Sequence, residues 1–307
     1  MRINMTRHTH TPRLRLEAAQ RGLSAAILIT ATVMVVEIVG GILSNSLALL
    51  SDAGHMFTHS VALGLALVAV RMARRPTTQK KTYGYYRAEI LAAFANGIVL
   101  VFLVLYIFYK AYLRFLRPPE VSVPIMLGVA IVGLGANLAV LVALRRTRSE
   151  SINVRGAILH VLSDTLSSVG VITAGAIVMI TGVYVVDPLM ASLIGAMILI
   201  WAIGLMRESG DILLEAVPKH IDVREIIREV EKVKGVRDLH DLHVWTITSG
   251  MHAMSGHLLI EDQMVSKAAD ILDEVKRLLR LRFQIAHTTL QLECEKCKGP
   301  FVCRPGE

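Results

Sequence analysis

Of 307 residues, 53% are hydrophobic and 19% charged, with a mean hydropathy of +0.54, which is too apolar for an ordinary soluble protein of this length. The net charge of +8 and pI near 9.6 would suit a nucleic-acid binder, but the basic residues cluster in short loops between apolar blocks, which fits a membrane topology better, and no nucleic-acid partner is expected. The three cysteines all fall in the last fourteen residues, which excludes a disulfide framework and leaves reduced thiols on a cytosolic tail.

Residues 1–21 form a polar, basic head, with no short apolar segment and cleavage site of the kind a removable signal peptide carries. Six apolar stretches follow in residues 22–208, each near the roughly 20 residues that a helix needs to span a bilayer. They are Leu23–Leu43, Leu47–Val70, Ile90–Leu113, Val123–Leu144, Ala157–Ile180 and Pro188–Met206. A tight turn at Ser44-Asn45 joins the first two, and Pro118-Pro119 breaks the chain between the third and fourth. Lys and Arg are concentrated in the head and in loops 71–88 and 145–156, whereas the alternate connections are poor in both. The positive-inside rule then puts both termini in the cytosol.

Residues 209–307 have the composition of a soluble domain. Asp222–Lys234 reads as a charged amphipathic helix and Leu239–Thr248 as a strand. Ser249-Gly250 reads as a hairpin turn, His252–Ile260 as a second strand, Ser266–Arg282 as a helix and His287–Leu292 as a third strand. The order αββαβ predicts a small two-layer α+β domain, ferredoxin-like or metallochaperone-like in kind. The expected fold class is therefore an α-helical membrane protein of six transmembrane helices followed by a small cytosolic α+β domain.

Ionisable side chains inside a bilayer span are costly and point to function. His55 and His59 in the second span are four residues apart, so a helix puts them on one face, one turn apart. His160 and Asp164 repeat this spacing in the fifth span. Two such pairs supply four ligands around one ion, and four His and Asp ligands suit tetrahedral Zn²⁺. Asp52, three residues before His55, either orients a ligand imidazole or caps the outer end of its span. As drawn, 160–164 lie shallower in their span than 55–59 in theirs. For the two pairs to meet, the fifth helix must begin near Ser149 to Asn153.

Glu37, Asn96 and Asn137 read as interhelical hydrogen-bonding groups or as the lining of a proton or water path, and Arg87 with Glu89 as an ion pair at the mouth of the third span. In the tail, His240, His243, His252 and His257 lie near Asp238 and Asp241. The Cys294-x-x-Cys297 pair reads either as a half-site for zinc that His8 and His10 of the head can complete or as a disordered, reduced tail. No HExxH motif occurs, and a closed quartet leaves no open position, so a membrane metalloenzyme is not expected. A metal sensor or scaffold acting through the tail is the other class to separate.

The run Asn45-Ser46-Leu47-Ala48-Leu49-Leu50-Ser51-Asp52-Ala53-Gly54-His55-Met56 resembles the cation diffusion facilitator family, close to its bacterial zinc exporters. So do Tyr83 to Glu89, His160 to Asp164, Asp187-Pro188 and Asp241-Leu242-His243-Val244-Trp245. The resemblance covers nearly the whole chain. It implies a homodimer in the bilayer that exchanges cytosolic metal for protons by alternating access across a bacterial inner membrane and is a secondary transporter rather than an enzyme. It implies a transport site at His55, His59, His160 and Asp164, and a metal-binding, dimer-holding cytosolic domain with His240, His257 and Glu293 as ligands and His243 beside them. Zinc members usually carry Asp where this sequence has His59. That exchange removes a charge and adds a group titrating near neutral pH, which leaves Co²⁺, Ni²⁺, Cd²⁺ or Fe²⁺ as alternative cargo.

Overall fold

The computed structural model describes residues 11–73, 75–146, 152–248 and 250–295, and the side chains of His59 and His160 lie outside the described set. Six long helices come first: α1 (Thr11–Ser44), α2 (Leu47–Ala73), α3 (Ala88–Leu116), α4 (Val123–Arg146), α5 (Ile152–Thr181) and α6 (Val186–Leu213). Each covers one predicted span and overruns it at one end or both. α5 begins inside the 149–153 window that pairing of the two ligand turns requires. Among the described residues, α3 and α6 in full and most of α4 and α5 are long and apolar enough to cross a membrane, and Leu28–Ser44 of α1 is a shorter apolar stretch.

The chain divides into two compact units, residues 1–64 with 96–203 and residues 65–95 with 204–307. In the first unit, small and branched residues at helical spacing face inward: Leu100 and Val104, Met126 and Ala130, Ile194 and Ile198. The large apolar side chains of Leu28, Phe102, Ile180 and Ile200 are exposed on the outside, and the polar groups of Glu37, Asp52, His55, Asn137 and Asp164 are buried within. This is the pattern of a bundle solvated by lipid, where apolar surface costs nothing outside and polar groups must find partners inside. Close packing needs missing side chains at two points on the facing helices. A Cβ on Gly40 would lie 2.5 Å from Val129 Cγ2, and one on Gly133 would lie 2.7 Å from Glu37 Oε1.

The start of α2 is fixed from the far side of the sequence. Asn45 turns the chain with φ +55, a left-handed conformation that Asn tolerates. Asp187, at the start of α6, then accepts hydrogen bonds from Ser46 Oγ (2.6 Å), Leu47 N (2.7 Å) and Ala48 N (3.2 Å). A carboxylate here satisfies free N–H groups of the helix and complements its dipole. Arg114 closes the arrangement, reaching Asp187 Oδ2 at 3.3 Å, Asn45 O at 2.6 Å and Asn45 Oδ1 at 2.9 Å.

The second unit contains α7 (Val223–Val230), β1 (Val236–Thr248), β2 (Met251–Ile260), α8 (Val265–Phe283) and β3 (Ile285–Glu293). The sheet order is β1-β2-β3, with β1/β2 antiparallel and β2/β3 parallel through the α8 crossover. Ile226 and Val230 of α7 and Val275 and Leu279 of α8 pack with Leu239, Val244 and Leu258 of the sheet. α7 is shorter than Asp222–Lys234. Asp222 caps it through a 2.9 Å bond from Arg224 N, but residues 231–235 turn so that Val233 enters the core and Gly235, at φ +95, leads into β1. The expected Arg87–Glu89 ion pair is not formed, because residues two apart at a helix start do not face each other. Arg87 Nη2 donates instead to Glu215 Oε1 (2.7 Å), and Thr248 Oγ1 donates to Glu89 Oε2 (3.0 Å).

Candidate metal sites

The first site lies between α2 and α5. His55 and Asp164 are almost fully buried, and His55 Nε2 stands 3.9 Å from Asp164 Oδ1. The His55 ring also packs against Trp201 of α6, with centroids 5.5 Å apart, and Thr58 Oγ1 donates to the His55 carbonyl at 2.7 Å. His59 is one turn along α2 from His55, and His160 one turn before Asp164 on α5. Their side chains lie outside the described residues. Asp52 is buried too and accepts a 2.6 Å hydrogen bond from Ser167 Oγ on α5, so it ties α2 to α5 three residues from each described ligand candidate. Sequence spacing finds Asp52 but not Ser167, whose hydroxyl carries no periodic signal. Asn137 Nδ2 reaches Ser168 Oγ at 3.5 Å, an interhelical contact of the expected kind. Glu37 and Asn96 Oδ1 have no hydrogen-bond partner among the described residues.

The second site lies on the sheet of the cytosolic domain. His240 and His257 are opposite each other in the antiparallel β1/β2 register, which brings their ring centroids to 5.5 Å. Glu293 arrives from β3, two residues beyond the Gln291 that pairs with His257. One ligand atom from each of His240, His257 and Glu293 lies within 4.8 Å of the others. The specific approaches are His257 Nδ1 to Glu293 Oε1 at 2.8 Å and His240 Nε2 to Glu293 Oε2 at 3.3 Å. His240 Nδ1 also stands 3.4 Å from Asp238 Oδ2, so carboxylates face both ring nitrogens, though neither nitrogen makes a well-aligned hydrogen bond among the described residues.

A bulge between His240 and His243 shapes this face, with Asp241 at φ +48. The bulge lets Leu239 and Leu242, three apart, both point into the core. It also brings Asp241 Oδ2 to 3.8 Å from His257 Nε2 and Oδ1 to 3.4 Å from His243 Nε2. His243 is half exposed and stands outside the cluster of three. Cys294 is exposed, with Sγ 4.0 Å from Asp262 Oδ1. Cys297, His8 and His10 lie outside the described residues.

Residues 23–214 match the model of the cation efflux transmembrane domain, and residues 218–295 match that of the cation efflux protein cytoplasmic domain. The chain is 42% identical over 279 residues to the metal cation efflux system protein CzcD of Cupriavidus metallidurans, covering 91% of this chain and 88% of that one. It is 42% identical over 277 residues to a cadmium, cobalt and zinc/H(+)-K(+) antiporter of Bacillus subtilis, covering 89% of each. To the zinc transporter ZitB of Escherichia coli it is 39% identical over 296 residues, covering 95% of this chain and 94% of that one.

Proposed function

The chain belongs to the cation efflux family, and from that premise we propose that it exports zinc from the cytosol in exchange for protons. It is an integral membrane transporter of divalent metal cations and not an enzyme. The cargo site in this reading is the quartet His55, His59, His160 and Asp164. The observation that carries it is the 3.9 Å approach of His55 Nε2 to Asp164 Oδ1, two buried groups from separate helices. A metal and protons compete for the same imidazoles and carboxylate, which couples the two fluxes. The protein works as a homodimer in a bacterial inner membrane with both termini in the cytosol, and the cytosolic site of His240, His257 and Glu293 takes a further ion.

A second reading changes only the cargo. Imidazole also suits cobalt, nickel and copper, and relatives named for cadmium, cobalt and zinc transport support a broad or shifted preference. The test is uptake into proteoliposomes with Zn, Co, Ni, Cd, Mn and Fe. Losing even an outer partner of a metal ligand costs about 10–100-fold. Asp164→Ala, which removes a ligand carboxylate, is therefore expected to lower zinc flux by at least about 100-fold. Wild-type flux in that variant overturns the site.

A further inference from the structure

His220 and His252 form a second imidazole pair that the cytosolic site does not use. Their ring centroids are 5.0 Å apart with the planes at 60°. A tetrahedral zinc with Zn–N bonds near 2.0–2.1 Å holds two imidazole centroids about 5 Å apart. The separation also matches the 5.5 Å between His240 and His257.

The His252 ring is held by a side-chain contact, and the backbone turn that carries His220 is fixed. His252 is buried on β2, opposite Thr246 in the β1/β2 register, and its Nδ1 lies 3.2 Å from Thr246 Oγ1. A hydroxyl at Nδ1 fixes the ring and leaves Nε2 as the ligating nitrogen, the usual role of an outer partner to a metal-bound histidine. His220 sits in the turn between α6 and α7. That turn is closed by the Ile221 N to Pro218 O hydrogen bond (2.9 Å) and anchored by Ile221 in the domain core. The two histidines line a cavity of about 310 Å³ together with Thr246 and two carboxylates from the end of α6, Glu208 and Asp211. Lys219 lines it too, so two carboxylates stand against one ammonium and the local balance favours a cation. Burial, and then the neighbouring His220, lower the pKa of His252 below its ordinary value of 6.5, which favours the neutral imidazole over the cation.

We infer that His220 and His252, with a carboxylate from Asp211 or Glu208, bind a divalent transition-metal ion at a site distinct from the cluster of His240, His257 and Glu293. Two nitrogen donors with one carboxylate suit zinc and its nitrogen-preferring neighbours rather than magnesium or calcium. An ion here would pin the α6–α7 connection to the sheet. The inference does not rest on the transport reading, and its test does not measure transport.

The experiment uses the full chain in detergent micelles, stripped of metal, dialysed against zinc and assayed for retained zinc per chain. His220→Ala is expected to lose one equivalent, as is His252→Gln. His240→Ala is expected to lose a different equivalent, so that His220→Ala with His240→Ala loses two. His220 is exposed in a turn, so its replacement leaves the core intact and carries the test even if His252→Gln fails to fold. With cobalt in place of zinc, the wild-type minus His220→Ala difference spectrum should show the visible bands of a four-coordinate ion. Zinc retention in His220→Ala equal to wild type overturns the site. So does a single equivalent lost in common by His220→Ala and His240→Ala.

Discussion

At the residue scale, single side chains bear on the proposed cargo site and on the stability of the bundle. His59 is the position of the proposed quartet where this sequence has an imidazole and the zinc members it resembles usually carry Asp. Restoring the charge with His59→Asp should shift either the metal ranking or the pH dependence of flux, read in the same proteoliposomes across pH 6 to 8, because a histidine titrates in that window and an aspartate does not. Superimposable curves would show the exchange to be silent. Asp187 acts on stability instead. It is fully buried, receives three hydrogen bonds at the start of α2 and faces Arg114. Removing one partner of a buried charge pair costs about 3–5 kcal/mol. Asp187→Ala should therefore lower the thermal unfolding temperature of the purified protein markedly, with Arg114 left uncompensated, and Asp187→Asn should cost less. A wild-type unfolding temperature in the alanine variant would mean that the network contributes little.

At the element scale, α7 and α8 are joined by charge as well as by their shared core. Arg282 of α8 donates to Glu225 and Glu229 of α7, and Lys232 Nζ donates to Glu229 Oε1 at 2.6 Å. The Lys232 hydrogen bond first, and then the charges of Arg282, Lys232 and Arg228, hold the Glu229 carboxyl below its ordinary value of 4.5. A folded-state value below the unfolded one stabilises the fold above the unfolded value, and that stabilisation is lost as pH falls through the lowered one. Thermal unfolding followed at successive pH values should therefore show a loss of stability below pH 4.5 that is smaller in Glu229→Gln. Equal acid sensitivity in the two proteins would assign the effect elsewhere. Its partners Lys232 and Arg282 are exposed at the surface, so the difference will be modest.

At the scale of the whole molecule, the candidate cargo site and the candidate cytosolic sites fall in different compact units. His55 and Asp164 belong to the helical unit, while His240, His257 and Glu293 belong to the other. If transport resides in the helices and the cytosolic domain holds the dimer, a chain lacking residues 218–307 should retain measurable zinc flux in vesicles while losing dimer stability in light scattering. Complete loss of flux with the helical part still folded would favour a protein whose active part is the cytosolic domain.

Hydropathy alone located all six helices, because a bilayer span needs an uninterrupted apolar run whatever its neighbours do. The β-branched runs and the Ser249-Gly250 turn located the three strands to within a few residues at either end, since the two-residue period and turn chemistry are local properties. That His55 with His59, and His160 with Asp164, occupy positions one turn apart on helices was equally legible, because helical geometry fixes which positions share a face. Tertiary structure decided the rest. The carboxylate that starts α2 comes from Asp187, about 140 residues away, and the partner of Arg87 is Glu215 rather than its near neighbour Glu89. The left-handed Asp241 brings a carboxylate toward His257, and a turn before α7 sets His220 against His252. These contacts join groups far apart in the chain or depend on one unusual backbone angle, and neither leaves a period in the sequence. Local patterning determines which elements form, and long-range packing determines which polar groups meet.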